Sequence, residues 1–500
     1  MQLSAFLQGL IHEPNFLPNE ADFDVKNLAL DSRKITENSV FFALPGTQLD
    51  GRKYITDAIK NGAKAVLIEA ENEDETVTFI EKIPLIPVTF LRHKMGVMAA
   101  KFYDFPAQKL RILGVTGTSG KTSCTHFFAQ ILQNLGQKCG VIGTLGSGFY
   151  GDLSDVSLTT PDAISLQAKL HLFVQEQAKA VSMEVSSHSI DQGRVNGVTF
   201  ELGIFTNLTQ DHLDYHGDMA TYAAVKHRFL THYPMNHLIM NIDDVHGRQW
   251  VQALADKRSV FAYSTQPVAD LPGYIPHIYT DQIQLSLSGI RAHVYSPWGE
   301  GELQLPLIGQ FNLSNALAVL TALCVYGVPF QTVLTEFAKL KSVPGRMQLI
   351  GEYHQPLVIV DYSHKPDSLA NALQALRAHV AGQLICVFGC GGNRDAGKRP
   401  IMAKIAETFA DTVIVTNDNP RHEDPEEIAR QIMQGFERPD QVIVELDRAK
   451  AIQKSIQLAT IDDCILVAGK GAEQYQQIGD EKIPFDDVTV AQSFLKTFSL

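Results

Sequence analysis

The sequence has few cysteines and tryptophans, and it has no long apolar run. It contains 6 Cys and 2 Trp among 500 residues, and no two cysteines stand in a Cys-x-x-Cys pair. This usage excludes a disulfide framework and gives no zinc-site spacing. No apolar stretch reaches the about 18 residues of a membrane-spanning helix, and the N-terminus lacks a basic signal region. We therefore expect a cytoplasmic protein without membrane insertion, with Cys386 and Cys390 as core thiols.

Positive charge is also scarce. Lys and Arg number 42 against 55 Asp and Glu, which gives a formal net charge of −13. Nucleic-acid-binding proteins need a basic face, so nucleic acid is excluded as the main partner. Anionic ligands must instead be bound by local clusters. The composition, 45% hydrophobic and 19% charged, is that of an ordinary globular protein.

The length of the chain suggests three domains, because single cores stop growing at about 250–300 residues. Residues 1–106 alternate apolar runs with helix-like stretches and predict a small N-terminal α/β domain. Residues 107–340 predict a central domain built on a parallel sheet with crossover helices. Residues 341–500 predict a doubly wound, Rossmann-like domain, with a helix over Pro366–Val380. We predict an α/β fold with a hinge at Tyr103–Pro106.

The apolar runs locate the predicted strands. Those of the first domain are Val40–Leu44, Ala63–Ile68 and Ile86–Phe90. Those of the central domain are Ile112–Val115, Ala180–Val185, Gly203–Phe205 and Leu238–Asn241. Those of the third domain are Leu357–Val360, Leu384–Phe388, Thr412–Val415 and Ile465–Ala468. Polar residues follow most of these runs, as at the carboxyl ends of parallel strands.

The segment 114–122, GVTGTSGKT, lies between an apolar run and a helix-like stretch. Strand, glycine turn and helix N-terminus form a phosphate cradle, in which backbone N–H groups and the helix dipole attract the anion. Lys121 supplies a mobile cation, and the Thr122 hydroxyl can hold Mg²⁺. Val115 stands where the strict P-loop pattern has glycine, so the segment is a variant of it. It predicts a nucleoside triphosphate site and therefore a central domain, residues 107–340, of the P-loop ATPase type.

Glu184 ends one predicted strand, and His212 lies in the segment 207–217, NLTQDHLDYHG, after the next strand. Because the carboxyl ends of parallel strands meet at one edge, both side chains are expected beside the phosphate loop. A carboxylate and an imidazole near phosphates suggest a divalent metal. The alternative is that both side chains only bond the loop backbone.

Three further loops follow strands of the third domain. Arg394 lies in the first, Arg421 in the second and Glu473 in the third. Guanidinium groups can bind a carboxylate through two hydrogen bonds, and Glu473 can bind an ammonium. This combination suits an amino acid as ligand. For each arginine taken alone, a surface ion pair remains an equal alternative.

Seven motifs together resemble those of the Mur ligase family, the ATP-dependent enzymes that build the peptidoglycan stem peptide. They are 117–122 GTSGKT, 184–188 EVSSH, 211–217 DHLDYHG, 309–315 GQFNLSN, 344–346 PGR, 361–367 DYSHKPD and 418–421 DNPR, in family order along essentially the whole chain. The resemblance implies an amide ligase that uses ATP and Mg²⁺ and forms an acyl phosphate on a UDP-linked muramoyl-dipeptide. The last motif resembles the signature of members that add meso-diaminopimelate, whose distal carboxylate Arg421 can bind. Lysine-adding members lack this arginine.

The resemblance also implies a role for each matching residue. The implied catalytic residues are Lys121, Lys226 and His212, and the implied metal ligands are Thr122, Glu184, His212 and Lys226, the last as a carbamate. The implied ATP contacts are Gly117, Thr118, Ser119, Gly120, Lys121, Thr122, Ser123, Asn312, Arg346 and Asp361. The implied UDP-dipeptide contacts are Leu30, Ser32, Thr47, Gln48, Leu49, Leu158, Thr159, Thr160, Ser186, Gln192 and Arg194. The implied diaminopimelate contacts are Arg394, Asp418, Asn419, Pro420, Arg421, Gly469 and Glu473.

Three residues depart from the family pattern. Ser119 and Leu158 stand where asparagine is usual, and Ala472 stands where histidine is frequent. The alternatives are a lysine-adding ligase, a folylpolyglutamate synthase-like ligase, and a nucleotide-sugar-binding regulator with an inactive ATP site. The expected chain is a monomer whose third domain closes to deliver the amine and exclude water.

Overall fold

The computed structural model describes residues 1–9, 21–46, 50–70, 76–154, 158–286, 288–351, 354–380 and 382–498. The predicted contacts Thr47, Gln48 and Leu49 lie outside the described residues. The chain divides into two compact units. The first is Met1–Tyr263 with Pro272–Pro276, and the second is Ser264–Leu271 with His277–Leu500.

The first unit begins with a five-stranded sheet in the order β1-β2-β3-β5-β4. Its pairs are parallel except β4 with β5. Leu3, Phe42, Leu67 and Met95 belong to the apolar core that the helices close over this sheet. The elements are α1 (Leu3–Leu7), β1 (Asn27–Ala29), β2 (Ser39–Ala43), α2 (Ile55–Lys60), β3 (Ala63–Glu69), β4 (Thr78–Ile80), β5 (Ile83–Val88) and α3 (Leu91–Phe102).

The rest of the first unit is built on strands in the order β9-β8-β7-β10-β6-β11-β12-β13. In this spatial order the neighbouring strands from β7 through β10, β6, β11 and β12 to β13 are all parallel, and β6 lies between β10 and β11. These elements are β6 (Arg111–Thr116), α4 (Lys121–Asn134), β7 (Cys139–Gly143), β8 (Gly146–Phe149), β9 (Asp152–Ser154), α5 (Ala163–Gln175), β10 (Ala180–Glu184), α6 (Ser187–Asp191), β11 (Phe200–Phe205), α7 (Leu213–His216), α8 (Met219–His232), β12 (Met235–Asn241), α9 (Val245–Ala255) and β13 (Ser259–Ser264). The four strands predicted here are confirmed, because central parallel strands read as continuous apolar runs.

The second unit opens with three antiparallel strands that the sequence analysis missed. They are β14 (His277–Ser286), β15 (Gly289–Ser296) and β16 (Gly299–Leu305), paired in sequence order. The parallel sheet predicted over 107–340 is therefore wrong for 277–305. Along β14 half-buried residues alternate first with buried and then with exposed ones, a period of two that is typical of an antiparallel strand with one wet face. Two helices follow, α10 (Gln310–Tyr326) and α11 (Phe330–Phe337).

A six-stranded sheet in the order β17-β18-β22-β19-β20-β21 completes the second unit. Only β17 is antiparallel to its neighbour among these strands. Leu369 and Met402 lie in the core on one face, and Ile452 and Leu495 lie in the core on the other, which confirms the doubly wound prediction. The elements are β17 (Gln348–Ile350), β18 (Leu357–Asp361), α12 (Pro366–Arg377), β19 (Leu384–Phe388), α13 (Lys398–Phe409), β20 (Thr412–Val415), α14 (Pro425–Met433), β21 (Ile443–Val444), α15 (Arg448–Leu458), β22 (Cys464–Ala468), β23 (Tyr475–Ile478), β24 (Glu481–Pro484) and α16 (Asp487–Leu495).

Cysteine placement follows the sequence prediction. All six cysteines are buried and free of disulfide bonds, Cys386 and Cys390 among them. Across the described residues, no helix combines the length and the apolar character needed to cross a membrane.

Candidate active site

The phosphate loop lies at the centre of the first unit, between the end of β6 and the start of α4. Gly117 has a φ of 148°, and a Cβ there would lie 1.8 Å from Thr206 Oγ1. Only glycine fits this close approach of two strand ends. Gly120, with a φ of 86°, is the N-cap of α4. The helix N-terminus therefore opens directly onto the loop, as an anion site requires.

Residues that follow β11 hold the phosphate loop through its backbone. Thr206 Oγ1 donates to Ser119 O at 2.6 Å, and Asn207 Oδ1 accepts from Ser119 N at 2.9 Å. The Thr118 N–H donates to Asn207 O at 2.9 Å. These contacts use backbone atoms of Ser119, so serine can replace the usual asparagine without losing them.

Two lysines converge on one carbonyl oxygen of the loop. Lys121 Nζ donates to Gly117 O at 2.9 Å and to Thr118 O at 2.8 Å. Lys226 Nζ donates to the same Gly117 O at 2.8 Å, and Lys226 is 1% exposed. Burial, and the charge of Lys121 beside it, hold the pKa of Lys226 well below its usual value. The two lysines therefore share one backbone acceptor at the phosphate loop, and the lowered pKa of Lys226 favours its neutral form.

Glu184 ends β10 and is bonded to the first turn of α4. Thr122 Oγ1 donates to Glu184 Oε1 at 3.1 Å, and the Thr144 N–H donates to the same oxygen at 2.8 Å. Within the described ranges, no three His, Cys, Asp or Glu side chains form a metal site on their own. Mg²⁺ usually takes one or two protein oxygens and completes its shell with phosphates and water. The hydroxyl of Thr122 beside the carboxylate of Glu184 fits such an ion.

His212 lies close to this loop within a group of aromatic rings. Its Nε2 is 3.3 Å from Asp211 Oδ2, and its ring centroid is 4.8 Å from that of His188. The ring of Tyr222 lies 6.4 Å from that of His212, and the Tyr222 hydroxyl shares a hydrogen bond with Thr118 Oγ1 at 3.2 Å. Tyr222 thus connects His212 to the phosphate loop. The metal-ligand role of His212 stays a prediction.

The predicted dipeptide contacts gather at the same edge of the sheet. Thr160 Oγ1 donates to Glu184 O at 2.8 Å and lies 3.3 Å from Ser186 Oγ. Arg194 donates from Nη1 to Thr160 O at 3.0 Å and from Nε to Gln192 Oε1 at 2.9 Å. A guanidinium is thereby placed beside the strand end that carries Glu184.

The remaining predicted dipeptide contacts lie around this cluster and in the N-terminal sheet. Thr159 Oγ1 shares a hydrogen bond with Thr144 Oγ1 at 3.1 Å, while Leu158 is 42% exposed. Ser32 is buried, and its carbonyl accepts from Asn61 Nδ2 at 2.9 Å. Leu30 lies half-buried just after β1. Their contacts with a ligand stay predictions.

In the second unit, the loops after β20 and β22 are bonded to each other. Asn419 Nδ2 donates to Glu473 Oε2 at 2.8 Å, and Lys470 Nζ donates to that oxygen at 2.9 Å. Asn419 Oδ1 accepts from Lys470 Nζ at 3.1 Å and from the Gln477 N–H at 2.8 Å. Asn419 and Lys470 are both buried. The Glu473 carboxylate is thereby fixed through one of its oxygens.

The third loop, which follows β19, meets Arg421. Arg421 Nη1 donates to Gly392 O at 2.9 Å, and the residue has a φ of 53°. Arg394 belongs to the same loop and donates to Asn393 O at 3.4 Å. Pro420 O accepts from the Glu423 N–H at 3.1 Å. Two guanidinium groups therefore border one loop.

Asp418 packs against the glycine that opens the loop after β22. Gly469 has a φ of 117°, and a Cβ there would lie 2.6 Å from Asp418 Oδ2. The Asp418 side chain also accepts from the Asn419 N–H at 2.7 Å. All seven predicted amino-acid contacts therefore lie on three loops at the carboxyl edge of one sheet.

The predicted nucleotide contacts of the second unit make bonds within it. Asn312 is buried at the start of α10 and donates to Ile308 O at 2.8 Å. Asp361 Oδ1 accepts from the Met347 N–H at 2.7 Å. The Arg346 guanidinium lies 4.7 Å from the centroid of the Tyr362 ring. Their contact with a nucleotide stays a prediction.

Comparison with known proteins identifies the family. Three family models match in order: Mur ligase family, catalytic domain, over residues 24–103; Mur ligase middle domain over 115–323; and Mur ligase, glutamate ligase domain, over 345–471. UDP-N-acetylmuramoyl-L-alanyl-D-glutamate–2,6-diaminopimelate ligase of Coxiella burnetii is 47% identical over 475 residues, covering 95% of this chain and 96% of that protein. The chain belongs to the Mur ligase family.

Other relatives of this Mur ligase carry the same name. That of Pseudomonas aeruginosa is 44% identical over 481 residues, covering 96% of this chain and 97% of that protein. A solved structure under this name is 35% identical, covers 95% of each chain and has a TM-score of 0.69. The predicted three-domain α/β fold class is confirmed by this likeness.

The sequence analysis missed several residues that hold the site of this Mur ligase. Thr144 and Asn207 bond Glu184 and Ser119, which lie on other strands or loops. Lys470 bonds two of the predicted amino-acid contacts. A lysine between two glycines directly after a buried strand was a local signal for Lys470. Thr144 and Asn207 gave no such signal, because their partners are distant in sequence.

Proposed function

We propose that this protein is the ATP-dependent ligase that adds meso-2,6-diaminopimelate to UDP-N-acetylmuramoyl-L-alanyl-D-glutamate in peptidoglycan synthesis. The observation that carries the proposal is the arrangement of Arg421, Asn419 and Glu473 on adjoining loops of the second unit. Diaminopimelate has a carboxylate and an ammonium at its distal carbon. Arg421 would bind the first, and Glu473 the second. The named relatives and the solved structure support the same substrate.

The reaction needs no side-chain nucleophile. The D-glutamyl carboxylate attacks the γ-phosphorus of ATP, and ADP leaves as the acyl phosphate forms. The amino group of diaminopimelate then attacks the acyl carbon, and the tetrahedral intermediate collapses to amide and phosphate with loss of a proton from nitrogen. Both steps bring anions together, so Lys121 and the N-terminus of α4 contribute by neutralising charge. Arg346 is assigned the same task near the phosphates.

We propose that Thr122 and Glu184 hold Mg²⁺ with the ATP phosphates. Bound there, Mg²⁺ supplies Lewis-acid polarisation of the phosphoryl oxygens. The protein's own contribution is to orient both oxygen donors, which are bonded to each other at 3.1 Å and steadied by the Thr144 N–H.

We propose further that Lys226 is carbamylated. Carbamate formation with CO₂ requires a neutral amine, and the lowered pKa of Lys226 favours that form. The carbamate would place an anion beside the Lys121 side chain, with which Lys226 shares the Gly117 carbonyl oxygen. The carbamate nitrogen keeps one N–H, so the bond to Gly117 O can persist.

The domain boundaries 1–106, 107–340 and 341–500 stand as part of this proposal, with roles in uridine-nucleotide binding, ATP binding and amino-acid binding. The cytoplasm is the proposed location, because ATP and UDP-linked precursors are made there. The monomeric state is a prediction that size-exclusion chromatography with light scattering would check.

The test is a phosphate-release assay with ATP, Mg²⁺, the UDP-dipeptide and each candidate amino acid. We expect kcat/KM for meso-diaminopimelate to exceed that for L-lysine by roughly 10²-fold, because the half-buried Arg421 guanidinium would lose its carboxylate partner when lysine binds. Arg421→Ala should raise KM for diaminopimelate and leave those for ATP and UDP-dipeptide unchanged. Arg430→Ala, which removes an exposed arginine paired with Glu427 on α14, is the matched control. A ratio near one in the wild type would overturn the substrate assignment.

A further inference from the structure

One buried ion pair of the second unit touches the amino-acid loops from behind. Arg448, at the start of α15, donates from Nε to Asp487 Oδ1 and from Nη2 to Asp487 Oδ2, both at 2.7 Å. Both side chains are 0% exposed. A buried ion pair is often no better for stability than a well-packed apolar pair, so its presence asks for another explanation.

The remaining donors of Arg448 supply that explanation. Nη1 donates to Asn417 O at 3.2 Å, and Nη2 donates to Ala468 O at 3.1 Å. Asn417 directly precedes the segment 418–421, and Ala468 directly precedes the segment 469–473. One guanidinium thus bonds the backbone residue that directly precedes each of the two loops carrying the proposed amino-acid contacts.

The sheet connects these two loops only indirectly, through β19. They leave β20 and β22, which are separated by β19 in the strand order. No ladder hydrogen bond therefore joins the two strands to each other. Arg448 spans this gap, and Asp487 on α16 fixes the guanidinium plane through two parallel bonds. The bond between Asn419 and Glu473, 2.8 Å long, forms between the loops held in this way.

We propose that Arg448, oriented by Asp487, is a positioning residue that sets the spacing of the two loops binding the amino-acid substrate. This inference rests on the proposed function in one respect, namely that the amino-acid substrate binds at these two loops. Removing the tether lets the Asn419 loop and the Glu473 loop shift apart, so substrate affinity falls while the phosphate loop and the UDP-dipeptide contacts of the first unit keep their geometry.

The test replaces the ion pair by an apolar pair, Arg448→Met with Asp487→Leu, which leaves no buried charge without a partner. We expect the variant to fold and its KM for diaminopimelate to rise roughly 10- to 100-fold, the cost of a small misplacement of binding groups. The KM values for ATP and UDP-dipeptide should stay at wild-type values. Arg448→Lys, which keeps the charge opposite Asp487, should give an intermediate KM.

Arg377, the last residue of α12, offers a control, because it forms a similar but partly exposed ion pair with Asp411. It donates to Asp411 Oδ2 at 2.6 Å and to the carbonyls of Val380 and Gly382 at 2.7 Å, but at the amino edge of the strands. Arg377→Met with Asp411→Leu should cost stability in thermal unfolding and leave every KM unchanged.

Three results would overturn the positioning role. They are a wild-type amino-acid KM in the folded Arg448/Asp487 variant, an equal rise in all three KM values, or the same rise in the Arg377 control. If the paired variant does not fold, Arg448→Lys decides by the same amino-acid KM. If the wild-type enzyme prefers lysine, the proposed function is refuted but the positioning role is not. The effect of the Arg448 and Asp487 substitutions on the KM for lysine then tests that role.

Discussion

At the scale of single residues, Lys121 carries the first testable consequence. Its ammonium bonds two carbonyls of its own loop and is thereby held where the N-terminus of α4 attracts phosphate. We expect Lys121→Ala to lower acyl-phosphate formation roughly 10²- to 10³-fold, the usual effect of removing one charge-stabilising donor. The measurement is ADP release from ATP and UDP-dipeptide by rapid quench.

Lys109→Ala is the control for Lys121→Ala. Lys109 forms an exposed pair with Asp104 just before β6, so its removal should leave the rate unchanged. Near-normal ADP formation by a folded Lys121→Ala variant would refute the role of Lys121.

Lys226 gives the second residue-scale prediction. Because burial and the charge of Lys121 lower its pKa, the side chain should take up CO₂ more readily than an exposed lysine, whose pKa is about 10.4. Protein equilibrated with ¹³C-bicarbonate should show one carbamate signal by NMR, absent in Lys226→Ala and present in Lys257→Ala, which alters an exposed lysine. The Lys226→Ala enzyme should be inactive and partly restored by acetate or formate. Full activity without these additives would contradict the carbamate role.

Sequence reasoning succeeded at residues whose signal is local. Lys121 stands in a glycine-rich turn between a strand and a helix, and its position follows from that pattern alone. Arg448 and Asp487 lie 39 positions apart and meet only in the folded chain. Each reads in the sequence as an ordinary charge at the start of a helix, so their burial could not be foreseen.

At the scale of elements, the turn from β6 into α4 is the feature most open to test. Gly117→Ala would place a methyl group against Thr206 in a backbone conformation that L-residues avoid, at a cost of about 3 kcal/mol. We expect a lower melting temperature and loss of ATP binding by calorimetry. Gly136→Ala, at the other end of α4, also has positive φ but meets nothing within 4 Å. It should cost about 1 kcal/mol and spare ATP binding.

If Gly117→Ala bound ATP as the wild type does, the close approach of Gly117 to Thr206 would not matter for the phosphate loop.

The sequence predicted strands well where they are buried on both faces, because their apolar runs are continuous. The strands β14 to β16 were missed since one face is wet and apolar residues alternate with polar ones.

At the scale of the whole molecule, the predicted ligand contacts separate by unit. The UDP-dipeptide contacts lie in the first unit, and the diaminopimelate contacts lie in the second. Each unit has its own apolar core, so calorimetric unfolding need not be two-state. We expect two unfolding transitions. UDP-dipeptide should raise the midpoint temperature of one, and diaminopimelate that of the other. Each ligand adds about 2.7 kcal/mol to the free energy of unfolding at 100 times its Kd. A single transition that both ligands raise equally would contradict this assignment.

The two-unit division itself could not be predicted from the sequence. Pro272–Pro276 belongs to the first unit although its neighbours on both sides belong to the second. Compactness of this kind depends on contacts between distant segments. Composition and apolar runs report only local order, and they therefore led to boundaries at 106 and 340.

All six cysteines are buried, so their rate of alkylation can report how often each unit unfolds locally. Burial raises the pKa of each thiol, so alkylating reagents should find no reactive thiolate in the native state. Two cysteines, Cys124 and Cys139, lie in the first unit, and the other four lie in the second. Mass spectrometry of briefly alkylated protein would then show, from which thiols carry label, which unit opens first and how each ligand slows it.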